Sequence, residues 1–416
     1  MGGCSDRRES PDVKIAYIFG GFPYYSQTFN MEEIRGLIEK GLEVLVFSVI
    51  RPRGYQSMIS HSSFRMLEDA IIYCPSPFSL GFMKSQAYYL TRKPHLYLWL
   101  YIYIALRHGR KVMTMLKTLL FLPVAFHYAR LIEEHGVSLV HAGMSRYAAT
   151  YALIISRITG LPFSFTMHGP KSFLRGAMHR EKMKRARFVT TISEFNRNLL
   201  GEYTDGAGLE KIHVIRVGID IDKFPFRHPS GKTNGLSVLS VARLDMDKGL
   251  DYLIRAVAGL QGKIEGLSLT LVGDGPARGY LEQLTGELGV RSKVHFAGAL
   301  EHDEVVKEYR KADAFVLPSF WEGIPVVLIE AMASGVPVVA TRITGIPELI
   351  SDGQNGILVR AGESEALASA LLTLYENPSL RERFSLSSRK KVEEEYSVTK
   401  RTEKLYALFT TCGRRE

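Results

Sequence analysis

Short, densely apolar runs alternate with stretches of helical period along most of the chain, and that alternation sets the expected architecture. The first run, V-K-I-A-Y-I-F-G-G-F-P, ends in glycines; a helical pattern follows from Phe29 to Glu39, then the run L-E-V-L-V-F-S-V. Strand, helix and strand at this spacing predict a βαβ unit of a parallel sheet. Further strands are predicted at S-L-V-H-A, P-F-S-F-T-M-H-G, R-F-V-T-T-I-S and K-I-H-V-I-R-V-G, and residues 81–135 read as helices rich in Tyr and Leu. Around F-P-F-R-H-P-S-G-K-T-N-G the pattern breaks into Pro, Gly and polar residues, predicting a linker over 225–235. A second series then begins with L-S-V-L-S-V-A-R and runs through L-S-L-T-L-V-G-D-G-P, K-V-H-F-A-G-A, A-D-A-F-V-L-P-S and V-P-V-V-A-T. The prediction is an α/β protein of two doubly wound domains, 12–224 and 236–395, facing a central cleft. Residues 396–416 are expected to form a helix crossing back to the first domain.

A length of 416 residues agrees with more than one core, since single cores stop growing near ~250–300 residues. Three cysteines, Cys4, Cys74 and Cys412, are too scattered for a disulfide framework or a zinc site, which points to a reducing, cytoplasmic setting. The amino terminus lacks the apolar core of a secretory signal, and Asp6 stands where a myristoylation pattern needs Ser or Thr. Leu96 to Leu106 reads as the longest dense apolar stretch, too short for a helical span, so no membrane crossing is expected. The net charge of +10 is uneven: residues 1–227 hold 30 Lys/Arg against 18 Asp/Glu, and 81–187 hold 17 against 3. Basic residues among Tyr, Trp, Phe and Leu suit an anionic membrane face as well as a solvated rim on core helices. No nucleic-acid motif accompanies them, so membrane contact is expected rather than nucleic acid.

The run from Trp321 to Ala340, W-E-G-I-P-V-V-L-I-E-A-M-A-S-G-V-P-V-V-A, carries two glutamates in apolar surroundings. Pro325 suits the first turn of a helix and Gly335 its carboxyl end, which places Glu322 in the preceding loop and Glu330 inside. The amides of Gly323, Ile324 and Val326 would then face an anion. An unpaired buried carboxylate is costly, so Glu330 is either a structural cap or the partner of a hydroxylated ligand such as a ribose. In S-V-A-R-L-D-M-D-K-G-L, Arg243 and Lys248 follow a strand and precede a helix, a fork and a point charge suited to a diphosphate, or simply two exposed loop cations. L-V-G-D-G-P places Gly273 and Gly275 in a turn after a strand, candidates for donor binding though without a dinucleotide fingerprint. In the first half, Gly20 and Gly21 end the first strand and His168 ends another, where ligands of open α/β sheets bind.

These motifs together resemble the retaining glycosyltransferases of family 4, with the GT-B fold of two Rossmann-like domains. V-A-R-L-D-M-D-K-G-L, L-V-G-D-G-P, V-H-F-A-G, A-D-A-F-V-L-P-S, the glutamate-bearing run and T-G-I-P-E-L-I-S-D-G-Q-N-G-I-L-V carry the likeness over about 235–395. The first half is similar through F-P-Y-Y-S-Q-T-F, T-M-H-G, T-I-S-E-F-N and V-G-I-D. The resemblance implies an acceptor-binding first domain and a second domain that binds a UDP- or GDP-sugar. It implies that Arg243 and Lys248 neutralise the leaving diphosphate, that Glu322 and the amides of Gly323 to Val326 hold the sugar and phosphate, and that Glu330 holds the ribose. His168 would lie beside the sugar and the Gly20–Gly21 turn over the phosphates. The reaction it implies needs neither metal nor cofactor. F-P-Y-Y-S-Q-T-F is similar to the F-P-x-x-S-E-T-F of colanic-acid-type transferases, with Gln27 in place of the usual Glu.

The basic region leads to an expected lipid-linked or glycan acceptor at the cytoplasmic membrane face, contacted by Arg92, Lys93, Arg107, Arg110 and Lys111. A sugar-nucleotide epimerase or a phosphorylase of related fold, and an inactive sugar-nucleotide-binding scaffold, are the competing readings. The combination of both cations with both acids favours transfer over each of them.

Overall fold

The computed structural model describes residues 13–24, 27–52, 67–108, 111–169, 173–174, 177–228 and 235–413. By its internal contacts the chain divides into two compact units, one running to Ile215 and taking up the chain again from Arg401, the other Arg216–Lys400.

The first unit contains β1 (Lys14–Gly21), α1 (Thr28–Glu39), β2 (Glu43–Ile50), β3 (Ile71–Tyr73), α2 (Leu80–Arg92), α3 (Pro94–Arg107), α4 (Val112–Glu134), β4 (Leu139–Ala142), α5 (Tyr147–Thr159), β5 (Phe163–Met167), α6 (His179–Arg185), β6 (Phe188–Thr191), α7 (Glu194–Tyr203) and β7 (Ile212–Val214). The strands lie in the order β3-β2-β1-β4-β5-β6-β7, each neighbouring pair parallel. Parallel strands covered on both faces lose the in–out alternation of a half-exposed sheet. Thus β4, β5 and β6 are buried at every position. One polar residue in this core is His141, held by Ser164 Oγ at 2.8 Å and Thr166 Oγ1 at 3.0 Å; burial lowers its pKa to about 3 and keeps it neutral.

The second unit continues with β8 (Leu236–Val241), α8 (Leu250–Gly259), β9 (Leu267–Val272), α9 (Arg278–Glu287), β10 (Val294–Gly298), α10 (His302–Lys311), β11 (Ala314–Leu317), α11 (Val326–Ala333), β12 (Val338–Thr341), α12 (Ile346–Leu349), β13 (Ile357–Val359), α13 (Ser364–Glu376) and α14 (Pro378–Glu395). Its sheet runs β10-β9-β8-β11-β12-β13, again all parallel. The two sheets give the α/β, doubly wound class expected from the sequence.

The units divide at residues 215/216 and 400/401, earlier and later than the predicted domain ends at 224 and 395. The segment 216–228 packs on the second unit: Ile219 pairs with Ser397, the Phe224 ring meets Tyr309, and the Arg227 amide donates to Ser334 O at 3.1 Å. Of the predicted linker, 229–234 lies outside the described residues. The last helix, α15 (Val398–Cys412), supplies Leu405 and Phe409 to the core that also holds Ile15, Tyr17 and Ile34.

The reading of the apolar segments needs a correction. It is α4, 23 residues long, rather than Leu96 to Leu106, that has the length and composition to cross a bilayer. Lys117 and Pro123 break up its apolar run in the sequence, yet Pro123 sits inside the continuous helix. Its side chains from Phe121 to Ile132 nevertheless belong to the core of the first unit.

Candidate functional site

The second sheet reverses its strand order between β8 and β11, and the loops leaving those strands carry most of the predicted donor-binding residues. Such a reversal opens a crevice at the carboxyl ends of the strands. After β8, Asp245 opens a short 3₁₀ turn, Met246–Lys248, by accepting the Met246 amide at 2.8 Å on Oδ1. Its other oxygen pairs with the Arg243 guanidinium, which is 67% exposed.

Gly249 follows with φ +61°, and a Cβ there would lie 2.3 Å from the Pro318 carbonyl oxygen. Only glycine permits both the left-handed backbone and that approach. The loops after β8 and β11 therefore meet, and the Phe320 amide donates to Asp247 O at 2.9 Å. Their meeting brings Lys248 Nζ to Glu322 Oε1 at 2.6 Å, and Ser319 Oγ donates to the same oxygen at 2.9 Å. Among the described residues no hydrogen bond reaches Glu322 Oε2. Thr344 Oγ1 donates to Glu322 O and Thr341 Oγ1 to Ser319 O, each at 2.5 Å, so the loop is fixed from the β12 side.

Gly323, Ile324 and Pro325 lead into α11; Pro325 is its N-cap, one position ahead of the predicted first turn, and Val326 is its first residue. Gly335 follows the C-cap Ser334 with φ +79°. The glycines of the β9 loop have a purpose the sequence did not reveal. A Cβ on Gly273 would lie 2.0 Å from Ala242 O, and one on Gly275 would lie 2.4 Å from Leu244 O. Their bare backbone lets the β9 loop pack under residues 242–244, which fixes the start of the Arg243 loop.

Glu330 is not short of donors, contrary to the sequence reading. Tyr309 Oη donates to Oε2 at 2.9 Å and His302 Nε2 to Oε1 at 3.2 Å, from the neighbouring α10. Burial and the adjacent Glu330 push Tyr309 well above the ordinary tyrosine range. The hydrogen bond to Glu330 raises the pKa of His302, whose side chain is half exposed. Its contribution to stability is therefore complete below the ordinary histidine pKa, ~6.5, and is lost as pH rises through the raised folded value. Melting temperatures of the wild type and His302→Ala should differ most near pH 5.5 and converge toward pH 8. A gap that stays constant over that range would dissociate the pair from the titration.

In the first unit, Gly20 and Gly21 end β1 as predicted. A Cβ on Gly20 would meet nothing, while one on Gly21 would lie 2.8 Å from the Tyr24 ring, so the close approach is to a tyrosine of the same loop. His168 follows β5 with its ring 4.4 Å from that of Phe29. Both ring nitrogens are buried and, among the described residues, without a well-formed hydrogen bond, and the nearby Gly143 carbonyl compensates little. Burial, helped by Arg401, lowers its pKa to about 3, so it is neutral at physiological pH.

Arg92 and Lys93 lie where α2 passes into α3, over the rings of Tyr88 and Tyr89. Arg107 ends α3, and Lys111 at the start of α4 donates to Leu174 O at 3.1 Å. Arg110 lies outside the described residues. Among the described residues no group of three or more His, Cys, Asp or Glu side chains is placed to hold a metal ion.

Sequence reasoning missed Asp245, Ser319, His302 and Tyr309. Asp245 and Ser319 stood within motifs already singled out, D-M-D-K-G and L-P-S, and the partners of Glu330 lie more than twenty residues away in sequence.

Residues 222–391 match the family described as glycosyl transferases group 1, and residues 26–223 match glycosyltransferase family 4. The chain belongs to these glycosyltransferases. It is 36% identical over 198 residues to the amylovoran biosynthesis glycosyltransferase AmsK of Erwinia amylovora, covering 46% of this chain and 49% of that protein. It is 29% identical over 325 residues to the GDP-mannose-dependent alpha-(1-6)-phosphatidylinositol monomannoside mannosyltransferase of Mycolicibacterium smegmatis, covering 72% of this chain and 83% of that one. The chain spans less than two thirds of the length of several curated relatives it matches. Among solved structures, Anabaena HepE in complex with UDP superposes with a TM-score of 0.72 at 19% identity, over 96% of this chain and 100% of that one. Such a likeness establishes the fold, that of the GT-B glycosyltransferases.

Proposed function

We propose that this chain is a retaining, metal-independent glycosyltransferase that moves a sugar from a UDP- or GDP-sugar to a hydroxyl of a glycan or lipid-linked acceptor. The setting would be cell-surface polysaccharide synthesis at the cytoplasmic face of the membrane. The reading rests chiefly on one observation: Arg243, Lys248 and Glu322 gather with the start of α11 at the strand-order reversal of the second sheet.

In the reaction, the bond between the anomeric carbon and the diphosphate oxygen breaks, and a bond to the acceptor oxygen forms on the same face of the sugar. The acceptor proton passes to the departing phosphate. Negative charge develops on the diphosphate, where Arg243, Lys248 and the α11 amides are set to stabilise it without reorganising. Glu322 Oε2 accepts a sugar hydroxyl while Oε1 stays with Lys248 and Ser319. Glu330, already bonded to His302 and Tyr309, would share an oxygen with the ribose. His168 contributes as a neutral hydrogen-bonding group rather than a charge, given its depressed pKa.

The relatives support the donor and acceptor classes: one curated match uses GDP-mannose and a phosphatidylinositol monomannoside, and a structural neighbour was solved with UDP. Thermal-shift screening against UDP, GDP, ADP and their sugars tests the donor reading, because a ligand of the native state raises the melting temperature. A rise with UDP or GDP, lost in Lys248→Ala, is expected. No shift with any nucleotide would sink the reading; a shift without transfer or donor hydrolysis would favour the inactive scaffold.

A further inference from the structure

We propose that α2, α3 and the first half of α4 seat the first unit in the headgroup–acyl boundary of an anionic bilayer, with apolar side chains inserted rather than held at the surface by charge. The proposal deepens the reading of a membrane-presented acceptor and rests on it.

Helices on a protein surface ordinarily turn a polar stripe outward. These three turn out apolar ones. On α2, Phe82, Ser85 and Tyr89 face the core while Leu80, Met83 and Leu90 are exposed. On α3, Leu100, Tyr103 and Ile104 are buried while Leu98, Ile102 and Leu106 face out at four-residue spacing. On the first half of α4, Val112, Met113, Leu116 and Leu120 are exposed together with Lys117, while Thr118, Phe121 and Leu122 are buried. Phe78, just ahead of α2, is 89% exposed. Of the twenty large apolar side chains exposed among the described residues, twelve fall between Phe78 and Leu120. The helices also pack together: Tyr97 donates to Gln86 Oε1 at 3.0 Å, and its ring stacks on Phe126 at 4.3 Å. Apolar surface gathered in this way marks an interaction site.

Charge selects the occupant. Residues 70–132 contain eight Lys and Arg and no Asp or Glu. Arg92, Lys93, Arg107 and Lys111 stand at helix ends beside the apolar stripes. There their stems can lie along apolar surface while their heads reach lipid phosphates. A second copy would meet this face with the same cations and no acids, an arrangement that repels. Nor does the patch belong to a spanning helix. Although α4 has the length to cross, its side chains from Phe121 onward form the core against the first sheet, and spanning would strip them from it. Only its first half is free to meet lipid.

The test uses the full-length protein with vesicles of phosphatidylcholine alone or mixed with phosphatidylglycerol, at low and physiological salt. The chain has two tryptophans, and Trp99 lies on α3. In a Trp321→Phe background its emission therefore reports this face alone. Expected results are co-sedimentation with the anionic vesicles, a blue shift of Trp99 emission and quenching by bromines on the acyl chains. Leu98→Glu with Ile102→Glu should lower partitioning at least tenfold, and circular dichroism should stay unchanged because both side chains are exposed. Salt-reversible binding with no acyl-chain quenching would overturn insertion in favour of surface contact. Self-association abolished by the same two substitutions, without vesicle binding, would overturn it in favour of a second copy. Nucleotide-induced thermal shift in the Glu variants separates the two readings: retained, with vesicle binding absent in the parent, it leaves the donor reading standing and removes this one.

Discussion

Lys248→Ala and Arg243→Ala are each expected to lower kcat/KM by about 10²–10³-fold, equivalent to ~2.7–4 kcal/mol of transition-state stabilisation, by analogy with deleting one oxyanion donor. Their ground-state surroundings predict how the two will differ. Lys248 is shielded and bonded to Glu322 at 2.6 Å, so its removal leaves a largely enclosed carboxylate facing the position assigned to the donor. That uncompensated charge repels a diphosphate before any chemistry, so Lys248→Ala should raise KM as well as lower kcat. Arg243 is largely exposed and, among the described residues, paired only with the nearby Asp245. Its loss should fall mainly on kcat, as expected for an interaction made fully in the transition state. Lys248→Ala combined with Glu322→Gln should recover part of the KM effect and none of the kcat effect. Initial rates over a range of donor concentration distinguish these outcomes, and unchanged turnover in Arg243→Ala would remove it from the reaction.

This difference between the cations was not legible in the sequence, which placed Arg243 and Lys248 as equals. Alternating strands and helices revealed both sheets, because buried parallel strands read as continuous apolar runs. The motifs located the crevice because loops after β8 and β11 carry its charged residues. What escaped is contact between segments distant in the chain. Glu330 looked unpaired because Tyr309 and His302 lie on another helix, and a carboxylate's environment is not a local property. The close packing of Gly273 and Gly275 on residues 242–244 escaped because a sequence shows that a glycine is present, not what lies beside it. Outward apolar stripes on α2 to α4 escaped for the same reason: a Tyr- and Leu-rich helix reads alike whichever face is buried.

Arg401→Met should destabilise the first unit by ~3–5 kcal/mol, the cost of leaving a buried carboxylate without its cation. Arg401 on α15 pairs with Glu33 on α1, both side chains almost fully enclosed, and also donates to Phe29 O at 3.2 Å. Glu33 has Tyr17 Oη as a further donor at 2.7 Å, a neutral group that cannot replace the charge. Because the loss comes from the stranded anion, removing both charges should cost less than removing one. Glu33→Leu with Arg401→Met is expected to recover most of the stability, and a double-mutant cycle measures the coupling. Denaturant unfolding in the Trp321→Phe background follows the first unit through Trp99, away from the transition of the second. A second readout comes from His168, whose depressed pKa owes part of its shift to the Arg401 charge. Arg401→Met should move that pKa upward, observable as a change in the titration of its ring resonances. If the losses of the two single substitutions simply add in the double, the helix is held by its apolar residues, Leu405 and Phe409, and the ion pair adds nothing.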